Sequence, residues 1–365
     1  MMPKIKVGVL GATGAVGQRF AQLLVDHPYF DLTVLAASER SAGKRYQDAT
    51  NWILPQAMPN HLAELIVQEM SLDLDCELLF SALPSDSARA WERSFAAAGY
   101  AVFSNASAHR MDDDVPLLIP EVNPDHLGLL VRQRTNRGWQ RGFIVTNPNC
   151  TSIPMTMALA PLQVRFGVEA VIATSMQALS GAGYPGVPSL DVIDNIVPFV
   201  AHSEELKMSS EPNKMMGLLT DGELALAGIP ISAHCNRVPV SDGHLVTVSV
   251  RLSDKPSLGD ILEAWQSWEP VPQKLALPSA PTPPLVVRRE DNRPQPRLDR
   301  DAGAGMATSV GRLRTCEVLD FRFIALAHNT IRGAAGGSVL NAELMYAQNM
   351  LAAFEPQATS ARISG

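Results

Sequence analysis

The sequence predicts an α/β protein of two domains, a doubly wound parallel sheet followed by an α+β domain. Three observations support this prediction. Short apolar, β-rich runs alternate with helical patterns over the first 145 or so residues. This alternation stops after Pro148, where a helical run and a half-buried strand pattern follow. Finally, 365 residues with 46% hydrophobic side chains can bury the cores of two ordinary domains.

The first domain is predicted to open with a βαβ unit. An apolar strand runs into a glycine-rich turn, and the apolar spacing then becomes helical. Further buried strands follow, with one clear helix between the last two. The predicted strands are Ile5 to Leu10, Leu32 to Ala37, Leu78 to Ser81 and Ala101 to Ser104, and the predicted helices are Val16 to Val25 and Asp86 to Ala98.

The second half of the chain lacks the regular alternation of strands and helices. Thr151 to Phe166 has a helical pattern, and the alternation in Val246 to Leu252 predicts a half-buried strand of an antiparallel sheet. Residues 271–301 are rich in proline and charge, which excludes a central strand or helix there. We expect an ordered, extended excursion at a subunit interface, with a flexible loop as the alternative. Gly337 to Phe354 predicts a long helix that returns to the first domain.

Charge and cysteine content narrow the function class. A net charge of -7 and a pI near 5.6 argue against a nucleic-acid-binding surface, while leaving room for a local anion pocket. The four cysteines have no paired or CxxC spacing, so we expect a reduced, cytoplasmic protein without a metal site. The sequence shows no secretory leader and no run of roughly 18 apolar residues that would span a membrane.

A glycine-rich turn follows the first predicted strand. In this position, backbone amides and a helix N-terminus can hold a pyrophosphate, and a Cβ atom would keep the phosphates away. We therefore predict a Rossmann-like dinucleotide site, against the alternative of a plain tight turn. The turn has Gly8, Gly11, Gly14 and Gly17 as its glycines, and the predicted cofactor contacts at this end are Gly11, Thr13, Gly14, Ala15, Val16 and, after a later strand, Ser81.

The loop after the second strand favours NADP(H) over NAD(H). An acidic residue often binds the adenosine ribose of NAD at this point and would repel a 2′-phosphate. Here hydroxyl donors and positive charge stand together instead. The residues are Ser38, Arg40, Ser41 and Lys44. The alternative is a solvated loop in which Glu39 cancels the charge of Arg40.

Cys150 is the candidate nucleophile. It lies in TNPNCTS, directly before a predicted helix, where the helix dipole and free amide groups favour thiolate over thiol. A thiolate can attack an acyl carbon. Cys76, Cys235 and Cys316 lack this setting, and we interpret them as small buried apolar residues.

His244 is the candidate base for this cysteine. Arg237 precedes it by seven residues in NRVPVSDGH, so an extended turn can bring both to one site, with the arginine binding a substrate carboxylate. Four other histidines lack an arginine in a comparable motif: His27, His61, His126 and His328.

Two further pairs are candidate ligands. Glu204 and Lys207 are three residues apart and share one helix face, where they form either an ordinary surface ion pair or ligands for a substrate ammonium and a phosphate. Arg110 and Asn105, in SNASAHR, are candidate anion ligands.

The assembled motifs resemble the aspartate-semialdehyde dehydrogenases, specifically the branch found in archaea and fungi. The likeness covers nearly the whole chain, and the segments occur in the order of that family. They are GATGAVGQRF, ASERSAGKRY, SNASAHRMDDDVPLLIPEVNPDHL, TNPNCTS, QALSGAGYPG, EELKM, NRVPVSDGH and NTIRGAAGGSVLNAE.

The resemblance implies a role for each candidate. Cys150 would be the nucleophile, His244 the acid/base and Gln177 the residue that orients the thioacyl intermediate. Arg237 would bind the substrate α-carboxylate and Glu204 its amino group. Asn105, Arg110 and Lys207 would bind phosphate, and Gly181, Gly183 and Asn329 would complete the nicotinamide site.

The resemblance also implies a domain division and an assembly. Residues 1–149 would form the NADP-binding domain, completed by a C-terminal helix within 330–365. Residues 150–329 would form the catalytic and dimerisation domain of a homodimer or homotetramer.

By the same analogy, the reaction is the reversible reductive dephosphorylation of 4-aspartyl phosphate to aspartate semialdehyde, in lysine, threonine and methionine synthesis. The nearest alternative is an acyl-CoA reductase such as malonyl-CoA reductase, and Glu204, Lys207 and Arg110 together favour aspartyl phosphate over it. N-acetyl-glutamyl-phosphate reductase fits EELKM and NRVPVSDGH less well. A non-catalytic dinucleotide-binding paralogue is the alternative of a different class, and the presence of Cys150 and His244 argues against it.

Overall fold

The N-terminal half of the chain forms one parallel sheet. The computed structural model describes residues 4–351. The sheet has six strands in the order β3-β2-β1-β4-β5-β6, which is that of a Rossmann domain. Its strands are β1 (Ile5–Leu10), β2 (Phe30–Ala37), β3 (Gln68–Glu69), β4 (Leu78–Ser81), β5 (Ala101–Ser104) and β6 (Phe143–Thr146).

Helices cover both faces of this first sheet. Phe80 and Phe103 point into a core on one face, and their neighbours Leu79 and Val102 point into a second core on the other. Side chains on both faces are apolar because neither face meets water. The helices of this half are α1 (Ala15–Leu24), α2 (Tyr46–Ala49), α3 (Asn60–Ala63), α4 (Ser85–Ala98) and α5 (Leu129–Arg137). The predicted strands and helices are confirmed to within two residues at each end.

The second half of the chain forms a mixed sheet. Its order is β10-β7-β11-β14-β13-β12, and β8 and β9 form a separate two-stranded ribbon. The strands are β7 (Val168–Gln177), β8 (Leu218–Thr220), β9 (Glu223–Ala225), β10 (Ile231–Arg237), β11 (His244–Leu252), β12 (Leu285–Arg288), β13 (Thr308–Thr315) and β14 (Phe321–Ala327). The predicted α/β fold class with a second α+β domain is confirmed.

Strand β11 lies inside this second sheet and pairs antiparallel with both of its neighbours. Alternate residues are buried, as the sequence predicts for Val246 to Leu252. Val246, Val248 and Val250 pack in one core with Met155 and Leu159 of the helix Ser152–Phe166. The helices of this half are α6 (Ser152–Phe166), α7 (Ser189–Val192), α8 (Glu204–Met215), α9 (Leu258–Gln266), α10 (Val271–Lys274) and α11 (Pro296–Asp299).

Residues 271–301 contain more regular structure than predicted. The exclusion of a central strand is confirmed, since β12 lies at the edge of its sheet. The exclusion of helix is wrong, because α10 and α11 are single helical turns. Pro272 and Pro296 lie in their first turns, where a missing N–H group removes no helical hydrogen bond.

The last elements that the structure describes return to the first sheet. A π-helix, Ile331–Ala335, leads into α12 (Gly336–Ala347), and Leu340 and Leu344 pack in the core of the first domain. The predicted helix to Phe354 is too long, because Asn349 takes a left-handed conformation that ends it; Phe354 lies outside the described residues. No helix between residues 4 and 351 is both long and apolar enough to cross a membrane.

Candidate active site

A cavity of about 550 Å³ collects most of the predicted site residues. Strands β4 and β5 of the first sheet lead into one wall, and β7 and β10 of the second sheet lead into the opposite wall. The predicted residues that line it are Val16, Asn105, Arg110, Cys150, Gln177, Gly181, Gly183, Glu204, Lys207, Arg237 and Asn329. Residues more than 300 positions apart in the chain therefore meet in one place.

Cys150 lies partly exposed on this cavity, two residues before α6 begins. Asn149 organises the turn, because its Oδ1 accepts hydrogen bonds from the amides of Thr151 (2.8 Å) and Ser152 (3.2 Å). The sequence predicted that free amides at this position would stabilise the Cys150 thiolate, but these two amides are bonded to Asn149 instead. Asn149 is a residue that the sequence reasoning missed, although an asparagine before a helix is a known capping signal.

The thiol of Cys150 is protonated in the free site. Burial raises its pKa to about 12, and Glu204 raises it further, whereas Arg110 and Arg237 lower it. The surroundings of Cys150 in the free protein therefore disfavour the thiolate that the sequence suggested. The physical reason is that desolvation penalises the charged sulfur, while Asn149 occupies two of the nearest amides.

His244 is fully buried at the start of β11. Its Nδ1 accepts a hydrogen bond of 3.1 Å from the amide of Ala178. Burial lowers the pKa of His244 to about 3, with further contributions from Arg237 and His328, so the ring is neutral at pH 7. Because Nδ1 is the acceptor, the proton of the neutral ring resides on Nε2.

Gly181 lies between the cavity and His244, and it packs against the guanidinium of Arg237. A Cβ atom at Gly181 would lie 2.9 Å from Nη1 of Arg237 and 3.0 Å from Nε2 of His244. His244 itself does not line the cavity, and no hydrogen bond joins it to Cys150 within residues 4–351. A glycine is needed here because any side chain would displace the two groups behind it.

Arg237 is the last residue of β10. The turn that follows brings His244, the first residue of β11, beside Arg237 as predicted. Both residues bind Ala178: the Arg237 Nη1 donates to its carbonyl oxygen (2.6 Å), while its amide donates to His244. Burial lowers the pKa of Arg237. The guanidinium remains charged because its ordinary pKa is so high, and it can bind a carboxylate in the cavity.

Glu204 is the first residue of α8 and lies at the centre of a hydrogen-bond cluster. Its carboxylate accepts from Nδ2 of Asn149 (2.8 Å), Nε2 of Gln177 (3.3 Å) and Nζ of Lys207 (3.4 Å). The prediction that Glu204 and Lys207 share one helix face is confirmed. This cluster ties Gln177 to the turn that carries Cys150.

Arg110 and Asn105 meet on the other side of the cavity. The Arg110 Nη1 donates to Glu211 (2.9 Å) and its Nη2 to the carbonyl oxygen of Asn105 (2.7 Å). Glu211 also accepts from the amide of Asn149 (2.6 Å), so it links Arg110 to the turn that carries Cys150. The sequence reasoning missed Glu211, although it stands seven residues after Glu204 on the same helix face.

The glycine-rich turn lies at the carboxyl end of the first sheet. Gly11 has φ +71°, and a Cβ there would lie 2.8 Å from the carbonyl oxygen of Ala82. A Cβ at Gly17 would lie 2.3 Å from the carbonyl oxygen of Gly11, so glycine allows the close packing of α1. Gly14 caps α1 and is exposed, while Gly8 lies within β1. Of the remaining contacts, Thr13, Ala15 and Val16 are half-buried beside the turn.

The predicted NADP-selective loop follows β2, the strand next to β1. Ser38, Arg40 and Lys44 are exposed and Ser41 is half-buried. These four residues do not line the cavity that holds Cys150. Ser81, the last residue of β4, is buried opposite Leu10 on the other side of β1. The glycine turn after β1 therefore lies between the loop after β2 and the end of β4, where the other predicted contacts of the first domain are found.

Asn329 links the turn after β7 to the turn before β11. Its Nδ2 donates to Oγ of Ser180 (2.8 Å), and its Oδ1 accepts from the amide of Gly243 (2.8 Å). Gly183, near Ser180, is in the left-handed region with φ +73°. The part of the chain that the structure describes contains no group of three or more acidic, histidine or cysteine side chains arranged to hold a metal ion.

Comparison with known proteins gives the family. Residues 6–130 match the NAD-binding domain of semialdehyde dehydrogenases, and residues 159–332 match their dimerisation domain. The aspartate-semialdehyde dehydrogenase of Archaeoglobus fulgidus is 50% identical over 95% of this chain and 100% of its own length. The chain belongs to the aspartate-semialdehyde dehydrogenase family. The Methanothermobacter thermautotrophicus member is 51% identical over 93% of this chain and 99% of its own, and the Aspergillus fumigatus member is 46% identical over 94% and 97%.

Solved structures of the family share the whole fold. The aspartate-semialdehyde dehydrogenase of Candida albicans, solved with NADP, matches with a TM-score of 0.87 at 41% identity, over 95% of this chain and 100% of that one. A second, aspartate-semialdehyde dehydrogenase II of Vibrio cholerae, matches with a TM-score of 0.74 at 26% identity, over 94% and 99%. The predicted likeness to the archaeal and fungal members is confirmed.

Proposed function

We propose that this protein catalyses the NADPH-dependent reductive dephosphorylation of 4-aspartyl phosphate to aspartate 4-semialdehyde. The observation that carries the proposal is the single cavity in which Cys150 faces a guanidinium, a carboxylate and a second cationic cluster. The relatives at about half identity are named aspartate-semialdehyde dehydrogenases, which supports this substrate. An amino acid with a phosphorylated side chain offers the three complementary charges.

Each charged group of the substrate has a counterpart in the cavity. Arg237 binds the α-carboxylate, since a guanidinium pairs with a carboxylate through two parallel hydrogen bonds. Glu204 accepts from the α-ammonium group. Asn105, Arg110 and Lys207 bind the phosphate, and the Nδ2 of Asn105 supports this role because it is buried without a partner among the described residues.

Cys150 forms the covalent intermediate. Its sulfur attacks the acyl carbon of the substrate and the bond to phosphate breaks. Inorganic phosphate leaves with the electron pair and takes up the thiol proton. The product is a thioester, whose carbonyl carbon is open to hydride because sulfur donates electrons poorly. NADPH, when bound, supplies that hydride. Gln177, held by Glu204, orients the thioacyl group.

His244 manages the proton on the substrate oxygen. Its Nε2 carries the proton in the neutral ring and is buried without a partner among residues 4–351, so it can donate to the oxygen as the thiohemiacetal forms. It takes the proton back when the thiohemiacetal collapses to the aldehyde. Cys150 leaves as a thiolate and regains a proton from solvent. Arg237 beside it disfavours a charged ring and keeps the histidine neutral between turnovers.

The first domain is built to hold the dinucleotide. Gly11, Gly14 and Val16 let the pyrophosphate approach the N-terminus of α1. Ser38, Arg40, Ser41 and Lys44 select the 2′-phosphate of NADP, and Ser81 and Thr13 flank the turn. Gly181, Gly183 and Asn329 lie beside Cys150 and hold the nicotinamide end.

The proposal extends to assembly and location. We assign residues 1–149 with the C-terminal segment 330–365 to the cofactor domain and residues 150–329 to the catalytic and dimerisation domain. The match of residues 159–332 to a dimerisation domain supports a homodimer or homotetramer. The four cysteines are all free, which supports a reducing cytoplasm.

The test is phosphate-dependent reduction of NADP by aspartate semialdehyde, run for wild type and Cys150→Ala. We expect turnover by the wild type and none by the variant, followed by absorbance of NADPH. Oxidation of NADPH with malonyl-CoA, without activity on aspartate semialdehyde, would overturn the substrate assignment and leave the thioester chemistry. Equal activity of both proteins would overturn the nucleophile.

A further inference from the structure

A π-helical turn, Ile331–Ala335, lies directly against Cys150. Two hydrogen bonds of five-residue span define it, from the Gly333 amide to the His328 carbonyl oxygen (3.0 Å) and from the Ala335 amide to the Thr330 carbonyl oxygen (3.3 Å). Gly333 packs on the cysteine so tightly that a Cβ there would lie 2.7 Å from Cβ of Cys150. Such turns are rare, and they frequently occur at functional sites.

The turn is anchored by a buried ion pair outside the cavity. Arg332 donates from Nη1 and Nη2 to the two carboxylate oxygens of Glu121, at 2.8 and 2.7 Å. The two side chains are 1% and 0% exposed, so water does not compete for these bonds. The Arg332 Nη2 also lies 3.5 Å from the sulfur of Met157 on α6. Through this one side chain, the π-turn is therefore joined to the 117–123 loop and to α6, the helix that follows Cys150.

The 117–123 loop is in turn attached to the strand that leads to Cys150. The amide of Leu118 donates to the carbonyl oxygen of Thr146 at the end of β6 (2.9 Å). Next along the chain, Nδ2 of Asn147 donates to the carbonyl oxygen of Gly333 (3.4 Å). The segments on both sides of Cys150 are thus tied to the π-turn, and Glu121 and Arg332 close this ring of contacts.

We propose that Glu121 and Arg332 are positioning residues that hold Gly333 against Cys150 and so restrict the side chain of the nucleophile to one orientation. The proposal rests on Cys150 being the nucleophile of the proposed function. A buried ion pair is a poor way to gain stability, since desolvation offsets the attraction and a well-packed apolar pair does as well. Its bidentate geometry does, however, define the position of the turn.

The experiment compares Arg332→Lys with the double variant Glu121→Met/Arg332→Met. Lysine keeps the charge but cannot form the bidentate pair, whereas two methionines fill the space without a buried charge. For both proteins we expect kcat to fall on the order of 10²-fold with KM changed by less than about threefold, since a misplacement of roughly 1 Å has that effect. The double variant is expected to unfold no earlier than wild type.

A second readout separates positioning from folding. The rate of alkylation of Cys150 by iodoacetamide, followed by mass spectrometry, is expected to rise while kcat falls, because loosening the turn exposes a thiol whose pKa is raised by burial. Cys316, partly exposed and far along the chain, is the reference within the same protein. The matched control is Arg293→Lys, which breaks a bidentate pair with Asp299 outside the cavity and should change neither rate.

The opposite shifts of the two rates in a folded double variant would support the proposal. Wild-type alkylation of Cys150 in that variant, whether or not kcat falls, would overturn it. If wild type itself has no activity with aspartate semialdehyde, the proposed function fails, whereas the alkylation rates still decide whether Glu121 and Arg332 position Cys150.

Discussion

The turn that carries Cys150 and the loop after β2 are built in opposite ways. In residues 147–152, Asn147 and Asn149 are buried, and their side chains bond the groups around them. In residues 38–44, Ser38, Arg40 and Lys44 point into solvent, and the hydrogen bonds are mainly between backbone groups of the loop. The first region is fixed before any ligand arrives, whereas the second offers charge that can adapt to one.

This difference follows from what each region must do. At Cys150, bonds form and break, so small displacements are costly and buried hydrogen bonds define the geometry. At the loop, the proposed ligand is a phosphate, which binds through charge and tolerates variation in position. Substitutions near Cys150 should therefore change kcat strongly, while substitutions in the loop should change KM for the cofactor modestly.

The largest effect is expected from His244→Ala, which removes the buried proton donor beside Arg237. We predict a fall in kcat on the order of 10³-fold in the steady-state assay. The control His61→Ala replaces an exposed histidine and should leave kcat unchanged. In wild type, the low pKa of His244, about 3, keeps the ring neutral above about pH 4. A loss of activity in wild type with a midpoint near 6.5, absent from His244→Ala, would contradict this assignment.

Gly333→Ala should have the next largest effect. The added methyl group would lie 2.7 Å from Cβ of Cys150, so the cysteine or the turn must shift. We predict a fall in kcat on the order of 10²-fold, measured under saturating substrate. Gly259→Ala on α9 is the matched control, because its Cβ would meet the Ser257 oxygen at an ordinary 3.4 Å. Equal kcat values for the two variants would show that the contact at Cys150 is unimportant.

A smaller effect is expected from Glu204→Gln on the reactivity of the thiol. The charge of Glu204 raises the pKa of Cys150, so its removal should lower that pKa and move the alkylation profile toward lower pH. Wild-type alkylation should still be rising at pH 10, because the pKa is near 12. The profile is measured with iodoacetamide between pH 7 and pH 10 for the Cys150 peptide, and Glu263→Gln on the surface of α9 serves as the control. A shift to higher pH would show that the local field has the opposite sign.

The smallest effect is expected from Arg40→Ala and Lys44→Ala. Each removes one exposed charge from the proposed 2′-phosphate site, and we predict that KM for NADPH rises about fivefold while kcat is unchanged. KM for NADH should stay the same, because that cofactor lacks the phosphate. Arg45→Ala, whose side chain pairs with Asp48 on the surface, is the control from the same segment. If NADH and NADPH respond alike, the loop does not select between them.

Local patterns were sufficient for the elements of the fold. Apolar runs predict β1, β4 and β5 because buried parallel strands exclude polar residues from both faces. The glycine-rich turn could be predicted because only glycine fits at Gly11 and Gly17, where a Cβ would meet backbone atoms. The ends of α12 and the short helices α10 and α11 were predicted less well, since one left-handed asparagine or one proline in a first turn decides them.

The sequence by itself determined which chemical groups the site contains: a cysteine before a helix, a histidine seven residues after an arginine, and a glutamate and lysine on one helix face. Tertiary structure alone decided their protonation and their partners. Burial raises the pKa of Cys150 and lowers that of His244, while Glu121 meets Arg332 across 211 positions of the chain. Desolvation and long-range contacts depend on what surrounds a residue in space, and no local spacing in the sequence encodes that.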